Sequence, residues 1–323
     1  MQLLNLSETV NFMSLRRITS AFSILLIVAS IASFATKGLN WGLDFTGGSL
    51  IEVSFEQSAD LTKVRQVMDE NGFGDATVQN FGSSRDVLIR IAPRLHAEGE
   101  SVGEKIDSKM IGDTIMSALT AMDDTATMRR IEFVGPSVGG ELREQGGLAM
   151  LTALLCILIY VALRFEWRFA LGSVSALGHD VIITVGLFSA LGIEFDLTVL
   201  AAVLAVIGYS LNDTIVVSDR IRENFRKIRQ GEAEEIINIS LTQTLNRTMV
   251  TSFTTALVLL ALLFVGGELI KGFATALLFG VVIGTYSSIY VASSIALALG
   301  ISKEDMMPTE VEKEGADQDQ LMP

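Results

Sequence analysis

The chain has 323 residues, half of them hydrophobic, and a formal net charge of -13. Nucleic acids are bound by clusters of Lys and Arg, so this acidic balance argues against a nucleic acid as a partner. The single cysteine, Cys156, excludes an internal disulfide and a thiolate metal cluster. Two histidines, His96 and His179, are too few for a histidine metal site on their own.

The apolar residues collect into six blocks that are long enough to cross a membrane. A spanning helix needs about 20 mainly apolar residues. Such runs occupy residues 18–36, 146–163, 169–191, 197–217, 248–265 and 272–299. They predict an α-helical polytopic membrane protein with six transmembrane helices. A cleaved signal peptide is the alternative for the first run, but that run is long for a signal and no Ala-x-Ala site follows it.

Basic residues indicate how the chain is oriented, because cytoplasmic links carry an excess of Lys and Arg. The basic residues concentrate in three regions that fall on one side: residues 1–17, 164–168 and 218–246. The links on the opposite side, residues 192–196 and 266–271, hold one basic residue between them. We therefore expect both termini in the cytoplasm and residues 37–145 on the opposite side of the membrane.

Residues 37–145 lack a long apolar run and alternate between strand and helix patterns. The predicted order is strand, helix, strand, strand, helix, strand, over residues 48–55, 60–71, 76–81, 86–91, 101–122 and 126–134. This order predicts an inserted α+β domain of the ferredoxin-like type. Nothing in it resembles a catalytic constellation, and we interpret His96 as a solvated histidine. We expect the domain to contact another chain, and we expect neither an enzyme nor a cofactor.

The predicted cytoplasmic loop, residues 218–246, begins with a charged, helix-prone segment. Ile221, Phe225 and Ile228 share one helical face, which is typical of an interfacial helix on anionic membrane lipids. A solvated loop helix is the alternative. Residues 240–243 fit a capping box, so the next helix is expected to begin near Ser240. The acidic cytoplasmic tail comprises residues 300–323, and from Lys303 onwards it is predicted to be disordered.

Three ionisable side chains within the predicted spans are candidates for function, because charges are costly in a membrane: Asp180, Asp213 and Arg247. Asp213 lies late in the fourth span and Arg247 early in the fifth. Since these helices are antiparallel, the two charges fall at similar depth and are predicted to pair. The alternatives are that Arg247 snorkels to the surface and that Asp213 makes a hydrogen bond in a kinked helix.

Such a pair is suited to ion binding. Burial favours the neutral carboxylic acid, whereas a nearby arginine favours the carboxylate. Movement of Arg247 relative to Asp213 would therefore switch the carboxyl between holding and releasing a proton. Thr251, one turn after Arg247, is a candidate for a hydrogen bond at this site or for packing, and Asn212 is a candidate sodium ligand. For Asp180, beside His179, a structural contact between helices is expected.

Four stretches of the sequence resemble the SecD/SecF family. They are residues 40–48 (NWGLDFTGG), 133–139 (FVGPSVG), 207–224 (IGYSLNDTIVVSDRIREN) and 246–255 (NRTMVTSFTT). The last two are similar to SecF members rather than SecD members. The resemblance implies membership of the resistance-nodulation-division superfamily and supports the ferredoxin-like fold of the outer domain. It also implies that Asp213, Arg247 and Thr251 stand at the family's transport aspartate, arginine and threonine.

The resemblance also implies a set of partners. A SecF-like chain pairs with SecD, which supplies a further aspartate, and joins YajC beside the SecYEG channel and SecA. Such a complex is thought to use the proton gradient, or sodium in some members, to complete export of unfolded polypeptides. The competing interpretations are a half-transporter for efflux of small solutes and a passive assembly subunit without an ion role.

Overall fold

The computed structural model describes residues 9–93, 104–228 and 230–301, and for residues 104–109 only the backbone. In chain order its helices are α1 (Arg16–Lys37), α2 (Leu43–Thr46), α3 (Leu61–Glu70), α4 (Glu104–Met122), α5 (Pro136–Arg164), α6 (Trp167–Leu191), α7 (Leu197–Lys227), α8 (Ala233–Val265), α9 (Glu268–Ser287) and α10 (Ser293–Ala298). Its strands are β1 (Asn40–Trp41), β2 (Gly48–Ser54), β3 (Thr77–Phe81), β4 (Ser83–Ile91), β5 (Thr127–Val134) and β6 (Glu194–Phe195). His96 and the predicted disordered tail beyond residue 301 lie outside the described residues.

Six helices of the described chain are long and apolar enough to cross a membrane. They are α1, α5, α6, α7, α8 and the continuous stretch of α9 and α10, which are joined by the π-helical turn Ser288–Ala292. Helices α6 and α7 form the centre of the bundle, whereas α1, α5 and α8 present most of their side chains outward. The predicted class, a six-span membrane protein, is therefore confirmed.

Small residues let the central helices approach each other closely. A Cβ atom added to Gly284 of α9 would lie 3.0 Å from Cβ of Ser210 of α7. One added to Gly280 would overlap Val206. Glycine is the residue type that allows such backbone contact between helices in a membrane, where packing rather than the hydrophobic effect holds helices together. The close contact of α7 with α9 brings the polar residues of both helices into one layer.

The outer domain lies between α1 and α5 in the chain. It is a four-stranded antiparallel sheet in the order β3-β4-β2-β5, with α3 and α4 packed against it. This is the ferredoxin-like arrangement that the sequence predicts. Alternate residues of the strands, among them Ile51, Val53 and Ile89, form the core with Val64 of α3 and Leu119 of α4. Asp60 caps α3 by accepting hydrogen bonds from the backbone of Thr62 and Lys63.

The prediction for residues 218–246 is wrong in three respects. Helix α7 continues to Lys227 and α8 begins at Ala233, so the link between them is only residues 228–232. Ile221 and Phe225 are 1% exposed and pack in a core with residues of α8, so they do not lie on lipid. Ser240 lies inside α8 and donates to the carbonyl oxygen of Ile236, so it caps nothing. Because α8 packs against this end of α7, the apolar face that carries Ile221 and Phe225 is buried between the two helices and is not available to lipid.

The entry into β2 requires glycine, and this generates a test. Gly48 has φ +117° and its missing Cβ would overlap the carbonyl oxygen of Ile91. We expect Gly48→Ala to lower the free energy of unfolding of the outer domain by about 1–3 kcal/mol, because alanine is strained at this φ. The measurement is thermal unfolding of the full chain, followed by limited proteolysis of the outer domain.

Gly140 of α5 is the matched control, because nothing lies within 4 Å of an added Cβ there. Gly140→Ala is expected to leave stability unchanged or to raise it by about 1 kcal/mol, as alanine does inside a helix. If the outer domain is as stable in Gly48→Ala as in Gly140→Ala, alanine is not strained at residue 48.

Candidate functional site

The first element of the site is a carboxylate buried at the middle of a membrane helix. Asp213 lies sixteen residues after the start of α7, which is about 24 Å at about 1.5 Å per residue. The residue is 3% exposed, and Oδ2 is buried without a hydrogen-bond partner in the described part of the chain. A buried carboxylate oxygen without a partner is costly, so Asp213 is the strongest candidate for ion binding.

Arg247 stands on the neighbouring helix α8, and its side chain is exposed. Its positive charge acts on the Asp213 carboxylate. Within residues 9–93, 104–228 and 230–301 it makes no ion pair at 4.0 Å or less. Arginine and aspartate are therefore brought near each other without forming a contact pair. A charged side chain at this position of an outward face needs water or another chain to cover it.

The other two predicted residues of this site are not directed at the Asp213 carboxylate. The Thr251 hydroxyl donates within α8, to the carbonyl oxygens of Arg247 (3.1 Å) and Thr248 (2.9 Å). Asn212 is exposed on the outside of α7. Sequence reasoning missed Thr248, which is 1% exposed and whose hydroxyl oxygen has no partner among the described residues. Its position next to Arg247 was the available signal.

Asp180 lies at the point where three helices meet. It is fully buried, and its Oδ2 accepts hydrogen bonds from Ser210 of α7 (2.6 Å) and Ser287 of α9 (2.7 Å). Its Oδ1 lies 2.9 Å from Nδ1 of His179. These bonds hold α6, α7 and α9 together around one carboxyl group. Ser210 is three residues before Asp213, so both acidic residues belong to the same layer of the bundle.

The start of α7 is held by carboxylates from two sides. Asp196 caps it by accepting from the backbone nitrogen of Val199 (2.7 Å). Asp44, from α2, accepts from the backbone nitrogen of Leu197 (3.0 Å). Carboxylates at a helix N-terminus satisfy free N–H groups and complement the helix dipole. The helix that carries Asp213 therefore begins on a residue of the segment that leads into the outer domain.

Arg90 of β4 completes this junction between the outer domain and the bundle. Its guanidinium donates to the carbonyl oxygen of Trp41 (2.6 Å) and to the hydroxyl of Thr46 (2.7 Å). It also pairs with Glu194 of β6 at 3.6 Å. Strand β1 pairs with β6 in parallel, with Trp41 opposite Phe195. The sheet of the outer domain, the segment before it and the link before α7 are thus bonded to one another.

The fold and the site define a class of protein: a multi-pass membrane protein with a carboxylate site inside its helix bundle and an outer α+β domain joined to the helix that bears it. The profile of the protein export membrane protein SecD/SecF, C-terminal, matches residues 114–302, and the SecD/SecF GG motif matches residues 32–59. The chain belongs to the SecD/SecF family, on its SecF side.

Named relatives support this assignment over nearly the whole length. The protein translocase subunit SecF of Vibrio alginolyticus is 58% identical over 320 residues, which is 99% of each chain. That of Escherichia coli O157:H7 is 52% identical and covers 94% of this chain and 92% of its own. Among solved structures, SecDF from Thermus thermophilus, a translocon-associated membrane protein, is similar with a TM-score of 0.79 and 38% identity. The match covers 92% of this chain but 39% of that longer one.

The junction generates a prediction about pH. Burial raises the pKa of Glu194 above the ordinary 4.5, with Arg90 opposing the shift and Asp196 adding to it. The folded chain then binds this proton more tightly than the unfolded chain, so the contribution of Glu194 to stability is lost as pH rises above about 4.5. We expect Glu194→Gln to remove this loss. As pH rises, the unfolding temperature of the variant should therefore increase relative to that of the wild type.

The measurement is thermal unfolding of both chains in detergent across mildly acidic to neutral pH. A difference between them that stays constant, or that falls as pH rises, would show that Glu194 is not destabilised as a carboxylate.

Proposed function

We propose that the chain works with SecD in a complex that assists Sec-dependent export of proteins across the bacterial inner membrane, driven by the proton gradient. Family membership supports the role in protein export. The observation that carries the ion-driven part is the buried Asp213 in the middle of α7, whose Oδ2 has no hydrogen-bond partner among the described residues. We also propose that both chain termini are cytoplasmic and that the α+β domain is periplasmic.

The proposed cycle alternates the charge of Asp213. As a neutral acid it needs no counter-charge in the bundle; as a carboxylate it is stabilised by the nearby charge of Arg247. A proton that arrives from the outer side neutralises Asp213 and weakens its attraction to Arg247. Its release restores that attraction, so α7 and α8 have two preferred relative positions. The proton gradient supplies the free energy that moves α7 and α8 between these two positions.

Proton rather than sodium coupling is supported by the oxygen atoms around Asp213. Sodium would require several oxygen ligands that converge on one point. In the part of the chain that the structure describes, Asn212 faces outward and the Thr251 hydroxyl is bonded within its own helix. Neither of these two residues therefore supplies an oxygen ligand at Asp213, and a proton needs no such ligands.

Movement of α7 would reach the outer domain through the junction at its start. Asp44 bonds the first residue of α7, and Arg90 bonds both the link before α7 and the segment after α1. A tilt or shift of α7 therefore pulls on the end of β4, an internal strand of the sheet. We propose that the outer domain contacts the emerging unfolded polypeptide and that this movement prevents it from sliding back.

The outward faces of α7 and α8 support a partner chain at the ion site. Helix α7 exposes a stripe of small residues that ends in a polar one: Ala201, Ala205, Gly208 and Asn212. Small residues let another membrane helix pack closely, and exposed Asn212 and Arg247 are costly against lipid. We propose that SecD covers this face. YajC, the SecYEG channel and SecA are proposed as further partners of the assembled complex.

The direct test of the ion role is Asp213→Asn, with Asp219→Asn as its control on the same helix. Asp219 is exposed and pairs with Arg164 at 3.5 Å, so its loss is not expected to affect ion binding. We expect Asp213→Asn to reduce gradient-dependent export in inner-membrane vesicles to the level of vesicles without the chain, because asparagine neither takes up nor releases a proton. Asp219→Asn should export like the wild type.

If Asp213→Asn assembles with SecD and still supports gradient-dependent export, the chain is a passive assembly subunit. Gradient-driven efflux of small solutes by the purified SecD-containing complex, without an effect on export, would instead identify a half-transporter.

The proposed interface has its own test. A photo-crosslinking amino acid at residue 212 of α7 should attach to SecD, whereas one at the outward Leu155 of α5 should attach to lipid. The readout is the mass of the crosslinked product after irradiation of membranes. Equal SecD crosslinking from both positions, or from residue 155 alone, would place the interface elsewhere.

A further inference from the structure

Two buried polar atoms of neighbouring helices lack a hydrogen-bond partner in the described part of the chain. One is Oδ2 of Asp213 on α7, a residue that is 3% exposed. The other is the hydroxyl oxygen of Thr248 on α8, a residue that is 1% exposed. A hydroxyl group donates one hydrogen bond, and a carboxylate oxygen accepts. Each atom alone is costly to bury, whereas the two are chemically complementary.

Contacts between α7 and α8 show that these two residues lie at the same level of the bundle. The Tyr209 hydroxyl of α7 donates to Oγ of Ser252 on α8 at 3.4 Å. Asn224, near the end of α7, donates to a serine near the start of α8 at 2.8 Å, so the helices are antiparallel. Asp213 comes four residues after Tyr209 along α7. Thr248 comes four residues before Ser252 along α8, so it stands opposite the carboxylate, one helical turn from this contact.

The hydroxyl of Thr248 is oriented differently from the hydroxyls of nearby threonines on the same helix. A threonine inside a helix commonly donates to the carbonyl oxygen of the preceding turn. In α8 this bond to the residue four positions earlier is made by Thr242, Thr244, Thr251 and Thr254. The hydroxyl of Thr248 has no such partner within the described residues. It therefore remains available to a group on another helix.

Arg247 does not supply a direct hydrogen bond to the Asp213 carboxylate. Its side chain is exposed, and within the described residues it makes no contact ion pair, so its charge acts on Asp213 from a distance. A buried carboxylate needs hydrogen bonds as well as a counter-charge to offset its lost hydration. Thr248, the next residue along α8, lies on the buried side of the helix and carries the missing donor.

We propose that the Thr248 hydroxyl donates a hydrogen bond to Oδ2 of Asp213 when the carboxyl is charged, and that proton uptake by Oδ2 breaks this bond. Thr248 keeps its own proton throughout, so it is a positioning residue and does not carry the ion. In the described arrangement both atoms are without a partner, which corresponds to the position of α7 and α8 in which the bond is broken. The inference deepens the proposed ion role of Asp213, on which it rests, by naming the contact that distinguishes the two helix positions.

The titratable groups around Asp213 come from its own helix and from the three helices packed against it. Arg247 of α8 acts on it through its charge. Tyr209 precedes it by one turn on α7. Asp180 of α6 is bonded to a serine in the same layer, and Tyr286 of α9 donates to the backbone of α1. All four groups are unchanged when the threonine opposite Asp213 is replaced. A different titration of Asp213 in such a variant therefore reports the loss of the hydroxyl group.

The test is infrared difference spectroscopy of the full chain assembled with SecD in membranes, at a series of pH values in sodium-free buffer. The carboxylic acid band that is absent from Asp213→Asn belongs to Asp213. In Thr248→Val this band should persist to a pH about one unit higher than in the wild type. Asp213 then binds its proton about tenfold more tightly, because the carboxylate has lost one hydrogen bond to a charged group.

Two further variants separate the hydroxyl from the rest of the side chain. Thr248→Ser keeps the hydroxyl and should titrate like the wild type. Thr244→Val is the matched control, because Thr244 is buried one turn earlier on α8 and its hydroxyl already donates to the carbonyl oxygen of Ser240 at 3.0 Å. This variant should leave the Asp213 band at its wild-type pH. Valine has the size of threonine, so neither valine variant opens a cavity.

An Asp213 band that titrates in Thr248→Val as in the wild type would overturn the role of Thr248. A shift of equal size in Thr248→Ser or in Thr244→Val would overturn it as well, because the hydroxyl at residue 248 would not be the cause. So would a shift that appears only after sodium is added, since the hydroxyl would then be a sodium ligand. An Asp213 that titrates at no pH would contradict the proposed ion role itself, whereas the first three results leave that role intact.

Discussion

The central constraint on the structure is the burial of the Asp213 carboxylate in the middle of α7, because burying a charged group costs free energy. In a bilayer an unpaired carboxylate is tolerated only where other groups or an exchanging ion offset its cost. Helix α7 is accordingly the most enclosed part of the bundle together with α6, and it is packed by glycines of α9 at the level of Ser210. Asp180 belongs to the same layer, where it accepts hydrogen bonds from Ser210 and Ser287.

A second consequence concerns the ends of α7. A helix that moves with the charge of Asp213 is useful only if something is attached to it. Its start is capped by Asp44 and Asp196 and lies against the segment that Arg90 bonds to the sheet. Gly139, at the start of α5, packs so closely on Gly47 that an added Cβ would be 2.8 Å from its nitrogen. The glycine pair Gly47-Gly48 is thus the place where the backbone of α5 contacts the backbone that leads into the outer domain.

The sequence was sufficient for the features that depend on local patterns. The apolar runs predict the membrane helices, and the alternation of residues 48–134 predicts the ferredoxin-like order, because both follow from periodicity. The buried Asp213 was also identifiable, since a charge in an apolar run is conspicuous. The boundaries between helices were not, because Ile221 and Phe225 are buried by a neighbouring helix that a local pattern does not reveal.

Features made by distant residues were out of reach in the same way. Nothing in the sequence indicates that Asp180 meets Ser210 and Ser287, or that Arg90 reaches the link before α7. Arg247 was identified as a candidate, but its outward direction follows only from the packing of α8. Such contacts depend on which helix faces are turned together, and a one-dimensional pattern leaves that rotation open.

The coupling of Asp213 to the outer domain is tested most directly by the distance between the outer domain and the helix bundle, measured as a function of the charge of Asp213. Spin labels at Gln66 of α3 and Leu269 of α9, both exposed, report it in the assembled complex. We predict that the wild-type distance distribution changes between acidic and alkaline pH and that Asp213→Asn stays in the acidic distribution at both. Identical distributions for the wild type and Asp213→Asn at every pH would contradict the coupling of Asp213 to the outer domain.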